Sequence, residues 1–280
     1  MPNYSKIIQC RLCRNDHLKV VFDFGDVPLG NNLQSSKYKS KLAEVYPLVL
    51  EQCQKCHHFQ LNSSVNPDIL YATNYTYLSG IGLSFRNHII EYVDWVKKRT
   101  NIHKDSFVLE IGSNDGTCLK EFKSLGLKVC GVDPAEKPSL IANKNNIHTI
   151  NNFFSKSVIN EVENIYGKPD LITSQNALAH IDDLLNVFNL SYEFLKDDGF
   201  FVFEVGYFKT VLEYNLFDTI YHEHLDYHHA KPLVKFLKKI GFSIKDITLN
   251  ASQGGSIRFL LQKCKVKSVS NKVNKFLLKE

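Results

Sequence analysis

The chain has 280 residues, enough for about two domains and a buried core; with 44% apolar and 22% charged residues it is neither disordered nor fibrous. Thirty-four basic against 29 acidic residues give +5, too small an excess to imply nucleic acid unless it is concentrated on one face. No apolar run approaches the roughly eighteen residues of a bilayer span, and Lys6 and Arg11 interrupt the N-terminus before any signal-peptide core, so a soluble cytoplasmic chain without a membrane partner is expected.

Residues 1–68 read as short strands and turns, punctuated by Gly25-Asp26 and Pro28-Leu-Gly30. Four of the seven cysteines form two Cys-x-x-Cys pairs here, Cys10/Cys13 and Cys53/Cys56. Each short spacing lets one knuckle offer two thiolates, and four thiolates close the tetrahedral shell of a structural zinc, leaving no position for chemistry. The alternatives are unrelated thiols or a redox motif, but a redox motif should lead into a helix, whereas these pairs sit among extended segments. His57 and His58 are incidental with four cysteines present. Without the metal this module has little core of its own.

Residues 69–99 form a helical connector, in which Ile89, Ile90, Val93, Trp95 and Val96 recur at helical spacing and basic residues crowd the last turn. His88 reads there as a surface or packing residue. From 100 to 262 strand and helix alternate. Strands are expected at 106–111, 127–132, 147–150, 170–173 and 199–205, with amphipathic segments at 117–125, 155–166 and 184–195 between them. Such alternation specifies parallel strands with helical crossovers. A helix at 232–240 and strands at 242–249 and 256–262 then end the pattern in a hairpin, which requires at least one antiparallel strand. The expected fold is α/β: a mostly parallel sheet with a terminal antiparallel hairpin, preceded by a small β-rich zinc module.

The first strand runs into Glu110-Ile-Gly112-Ser113-Asn114-Asp-Gly116, a glycine turn that opens a helix. Glycines admit close backbone approach, and a helix N-terminus offers amide donors. Asp133-Pro134 ends the second strand about twenty residues on, where a carboxylate can accept both ribose hydroxyls. A dinucleotide site would have glycine where Ser113 stands. The Glu-x-Gly-x-x-x-Gly form and the terminal hairpin resemble class I S-adenosylmethionine-dependent methyltransferases, which implies a Rossmann-like domain whose loop wraps the amino-acid part of that cofactor. On this resemblance Glu110, Gly112, Ser113, Asn114, Gly116, Asp133 and Pro134 bind the cofactor. Asn152 and Phe153 flank its adenine, and Asn176 and His180 line the same cleft; Phe153 and Phe154 have a core reading too.

The densest polar cluster follows: Tyr221-His222-Glu223-His224-Leu-Asp226-Tyr227-His228-His229. A His-Glu-x-x-His metal site would need histidine where Asp226 stands; an imidazole beside a carboxylate and a phenol suits acid–base chemistry. The order of motifs, from the two Cys-x-x-Cys pairs through Gly-Val-Asp-Pro and Asp-Thr-Ile-Tyr-His-Glu-His to Gly-Gly-Ser, is similar to the sugar C-methyltransferases that act on nucleotide-linked keto-deoxysugars. That resemblance implies His224 as base, assisted by Glu223 and Tyr221, with Tyr77 reaching the substrate from the zinc-module side, although Tyr77 has a packing reading as well. It also implies a further C-terminal domain that helps hold the nucleotide. This sequence ends at Glu280, so the expectation is a shortened form or a partner chain supplying that part. An RNA methyltransferase is the runner-up, but residues 1–68 carry eight basic and six acidic groups without a basic, aromatic stripe. A non-catalytic cofactor-binding remnant is the third reading. The tail, residues 263–280, holds six lysines and one glutamate, so the whole net charge lies there, in what reads as the first helix of an absent domain.

Overall fold

The computed structural model describes residues 3–31, 35–36, 39, 43–72, 75 and 77–280. The N-terminal module contains β1 (Tyr4–Lys6), β2 (Leu18–Pro28), β3 (Val45–Cys53), β4 (Phe59–Leu61) and β5 (Ser63–Val65). A short helical turn, Asp68–Ala72, leads to α1 (Leu83–Lys97). The alternating region follows as β6 (Phe107–Ile111), α2 (Thr117–Ser124), β7 (Lys128–Val132), α3 (Glu136–Lys144), β8 (Thr149–Ile150), α4 (Lys156–Tyr166), β9 (Leu171–Gln175), α5 (Leu184–Phe194) and β10 (Phe200–Gly206). Then come α6 (Phe208–Tyr214), β11 (Asp226–Tyr227), α7 (Ala230–Ile240), β12 (Ser243–Asn250), β13 (Ser256–Gln262) and α8 (Asn271–Lys279).

Seven strands form the central sheet in the order β12-β13-β10-β9-β6-β7-β8. Neighbours from β10 to β8 are parallel, and β13 runs antiparallel to both β10 and β12. Helices cover both faces, so its inner strands β6, β9 and β10 are buried on both sides instead of alternating between core and solvent. Along β10, Phe201, Phe203 and Val205 join one core layer with α4, α5 and α7. Phe200 and Val202 join the other, with α1 and α2. Elements stop where the sequence lets them: Ser155 Oγ accepts from Val158 N at the start of α4, and Gly167 follows its last turn at φ 76°, a cap worth about 1 kcal/mol and a left-handed exit that favours glycine. Among the described residues no helix is long and apolar enough to cross a membrane.

Strands β2, β3 and β4 form an antiparallel sheet, and its fourth strand comes from the other end of the chain: β11 pairs with β4, Asp226 opposite Gln60 and Tyr227 opposite Phe59. The polar cluster beyond β10 is thus an edge strand of the N-terminal sheet as well as a crossover of the body. The lysine-rich tail is a helix docked on the body. Val273 of α8 is fully buried, and Val269 bridges to Ile244 in β12. The Glu280 carboxylate accepts from Ala230 N (2.7 Å), Lys231 N (2.8 Å) and Tyr207 Oη (2.9 Å), so it satisfies the free amides at the start of α7 from a distance.

Candidate active site

The four cysteine thiols of the two knuckles converge, with Cys10 Sγ 3.6 Å from Cys56 Sγ and Cys13 Sγ 3.5 Å from Cys53 Sγ, all four within 4.8 Å of one another. Four sulfurs each about 2.3 Å from one zinc would have this spacing, so the donor set fits a closed tetrahedral shell. His58 is not part of it: its Nε2 meets Asp226 Oδ1 at 2.6 Å, both side chains being fully buried.

Between the carboxyl ends of the central strands and the N-terminal module lies a cavity of about 730 Å³. This is where open α/β sheets place ligands. One end is built by the turns after β6, β7 and β9. Gly112 sits at φ 72°, and a Cβ there would lie 2.2 Å from Ala177 Cβ, so only glycine allows the two loops to cross. Asp133 accepts from Asn114 N and Ala135 N, both at 2.8 Å; burial pushes its carboxyl up while these two amides pull it down. Asn114 reaches outward, accepting from Ser79 N and donating to Tyr77 O, which ties the connector to the loop. Gly112, Asn114, Asp133, Pro134, Phe153, Asn176 and His180 all line the cavity. So do Gln175 and Asn176, whose buried amide groups include nitrogens without a protein partner that can donate into the cavity.

The other end is aromatic and acidic. His224 Nδ1 donates to Thr219 O at 2.9 Å. That bond fixes the ring proton on Nδ1 and leaves the Nε2 lone pair facing Tyr221 Oη at 3.2 Å. Burial holds His224 below the ordinary imidazole range, the Thr219 bond opposing it. His180 stands edge-on to His224, ring centroids 4.9 Å apart, and burial together with His224 drives it down to about 3. Burial also raises the Tyr221 hydroxyl far above its usual value, which keeps it a donor. Glu223 accepts from Asn31 Nδ2 at 2.6 Å, and burial raises its carboxyl against that bond. Tyr77, 45% exposed, accepts from Gln253 Nε2 at 3.3 Å across the mouth.

Tyr77, Tyr221, Glu223 and His224 therefore share one cavity with most of the expected cofactor residues, but four of those residues lie off its wall. Glu110 lies on the α2 side of β6, where burial pushes its carboxyl well up beside Cys118. Ser113 packs against Gly131, whose added Cβ would meet Ser113 Oγ at 2.2 Å. Gly116 takes φ 77° at the start of α2, against Ile147. Asn152 turns its side-chain oxygen to Phe153 N at 2.8 Å. These four shape the loops from behind. Conversely, Asn31, Tyr71, Tyr75, Gln175 and Gln253 line the cavity without having been singled out; the spacing of Tyr71 and Tyr75 was the one available signal. Of the two readings of His88, packing holds: its Nε2 bonds Glu204 Oε1 at 2.6 Å in a buried network with Arg258.

The strand order, the reversed β13 and a ligand cavity at the β6–β7–β9 turns define a class I methyltransferase fold. Residues 86–246 match a family model described as "Methyltransferase domain", and residues 10–71 match "Putative zinc binding domain". The chain belongs to the methyltransferase-domain family. It is 32% identical over 251 residues to C-methyltransferase NovU of Streptomyces niveus, a match that covers 90% of this chain. It spans 60% of that relative's length. Among solved structures, an S-adenosylmethionine-dependent methyltransferase of Clostridium acetobutylicum superposes with TM-score 0.50 at 16% identity, over 63% of this chain and 91% of that one. Magnesium protoporphyrin IX methyltransferase of Synechocystis, with bound S-adenosylhomocysteine, gives 0.50 at 14% identity, over 70% and 91%.

Proposed function

We propose that this chain binds S-adenosylmethionine and transfers its methyl group to a carbon beside the ketone of a nucleotide-linked keto-deoxysugar, through an enolate. The observation that carries the reading is the His224 Nδ1–Thr219 O bond, which leaves Nε2 as the acceptor, facing Tyr221 Oη, inside the cavity that also holds the Gly112–Asp133 end. Likeness to a C-methyltransferase supports it.

The cavity as a whole suits a cationic ligand: among the described residues its lining includes Asp133, Asp182, Asp183, Asp218, Glu223 and Asp226 and no lysine or arginine. In this reading Asp133 and Asn114 hold the ribose side, Phe153 the adenine, and Asn176 the amino-acid part. When bound, the cofactor supplies an electrophilic sulfonium methyl. His224 Nε2 removes the proton next to the ketone, and the Tyr221 hydroxyl turns from Nε2 to the ketone oxygen, stabilising the charge that develops there. Glu223, steadied by Asn31, orients the sugar hydroxyls, and Tyr77 covers the mouth so that the reactants are aligned and dry. In this reading the nucleotide part of the substrate is held by residues beyond the described wall or by a partner chain.

The test is carbon–hydrogen exchange in D2O. Incubated with a nucleotide-linked keto-sugar, the protein washes deuterium into the carbon beside the ketone, and added S-adenosylmethionine yields a product one methyl heavier. The variant His224→Asn does neither while still binding S-adenosylhomocysteine. Wild-type turnover by that variant removes His224 from the mechanism, and the absence of exchange with any keto-sugar removes the enolate.

A further inference from the structure

We propose that Arg11 is a positioning residue that couples the metal cluster to the cleft, so that zinc in the knuckles and ligand at the cofactor end strengthen each other. The proposal rests on the cofactor reading given above.

Arg11 lies between Cys10 and Cys13, inside the first knuckle, and is 2% exposed. Its backbone N–H donates to Gln60 Oε1 at 2.8 Å, and buried Gln60 donates to Gln9 O at 3.1 Å, so the knuckle is braced on β4. The guanidinium then divides. Nε donates to Asp182 Oδ1 at 3.0 Å, and Nη1 donates to Leu61 O at 2.8 Å.

Each branch ends at one side of the cleft. Asp182 lines the cavity, and so does its neighbour Asp183, which caps α5 by accepting from Asn186 N. Arg14 pairs with Asp183 at 3.1 Å, but that pair is exposed and contributes little. On the other branch Leu61 N donates to Leu225 O at 2.9 Å, and Leu225 N to Ala179 O at 2.7 Å. Leu225 follows His224, and Ala179 precedes His180. One planar fork thus fixes the cofactor loop and the base loop relative to each other, a geometry that lysine cannot reproduce. A guanidinium withdrawn from water is held only by partners that stay in place. Metal in the cluster fixes the ends of the Cys10–Cys13 turn and therefore the origin of the fork. Binding linkage is reciprocal, so a ligand that needs the Asp182 loop in this shape must in turn tighten the hold on zinc.

The experiment uses the zinc-loaded full chain and S-adenosylhomocysteine. Calorimetry gives the Kd of that ligand, and competition with a chelator, read by a metal indicator, gives the apparent zinc affinity with and without it. Saturating ligand is expected to raise the apparent zinc affinity about three- to thirtyfold. Asp182→Asn, isosteric at a partly exposed position, and Arg11→Lys are expected to abolish most of this gain and to weaken ligand binding by a similar factor, with unchanged circular dichroism. A purely structural part for Arg11 leaves the linkage in place. The proposal is overturned if wild type binds the ligand without any change in zinc affinity, or if the gain survives in both variants. A wild type that does not bind S-adenosylhomocysteine overturns the cofactor reading instead, and this proposal with it.

Discussion

The two larger sheets of this chain are held by different physics. The central sheet is covered on both faces, and its strands β6, β9 and β10 are buried almost throughout; each large apolar side chain removed from water contributes roughly 1.5–3 kcal/mol. The N-terminal sheet is bare along β2, where Val20, Val21 and Phe22 are each about half exposed. Its support lies on the opposite edge, where the Cys53–Cys56 knuckle joins β3 to β4 and β11, a strand borrowed from the body, pairs with β4. The expectation of little core is met only in part, since Tyr46, Val65, Leu70 and Tyr71 pack together within the module; a module with so small a core can still wall a cleft if a cysteine cluster and a foreign strand brace one edge of its sheet.

Removing one thiolate breaks this contrast most directly. Cys53→Ala is expected to lose the metal, at a cost on the order of 10 kcal/mol of binding energy. Limited proteolysis should then cut within residues 3–65 while 107–262 stays protected; an intact N-terminal sheet in the zinc-free variant would show that packing alone supports it. The chemistry of the cleft comes next. His224→Asn should lower kcat by about 10²–10⁴-fold with ligand affinity kept. Because a base works only above its pKa, and burial holds His224 below its ordinary 6.5, the acid limb of kcat/KM for wild type should fall below pH 6.5. A limb above that value contradicts the burial.

Gly112→Ala probes the loop crossing. Its Cβ cannot coexist with Ala177, and a left-handed backbone adds strain, together about 1–3 kcal/mol; calorimetry should show weaker binding of S-adenosylhomocysteine and a lower Tm. The smallest effect belongs to the body, whose stability is spread over many contacts. Ser270 Oγ accepts from Val273 N at the start of α8, and Ser270→Ala should cost about 1 kcal/mol, or about 2–4 °C in Tm, by differential scanning calorimetry.

Much of the architecture was legible in the sequence because it is local. The alternation from β6 to β10 shows as apolar runs separated by amphipathic segments, and the two knuckles as fixed cysteine spacings. In the cleft, residues displayed by turns, such as Gly112, Asp133, Tyr221, Glu223 and His224, could be placed on one wall from motif alone. Direction could not. Glu110 sits in the same motif as Gly112, but it belongs to β6 with its side chain beside Cys118 of α2, whereas Gly112 lies in the turn beyond the strand; which helix layer a strand residue meets is known only once the layers are placed. Nor could pairings that join distant parts of the chain be read: Asn31 with Glu223, His88 with Glu204, and β4 with β11 each depend on tertiary closure.

The pairing of β11 with β4 also sets an order in time. His58 and Asp226, at that junction, are 168 residues apart, and at about 5–20 residues per second of synthesis the later partner emerges roughly 8–30 s after the earlier one. The knuckles, only 46 residues apart at most, can close on metal long before. On a ribosome the cavity therefore closes well after the knuckles can, so a nascent chain can hold a metal cluster before it has a cleft.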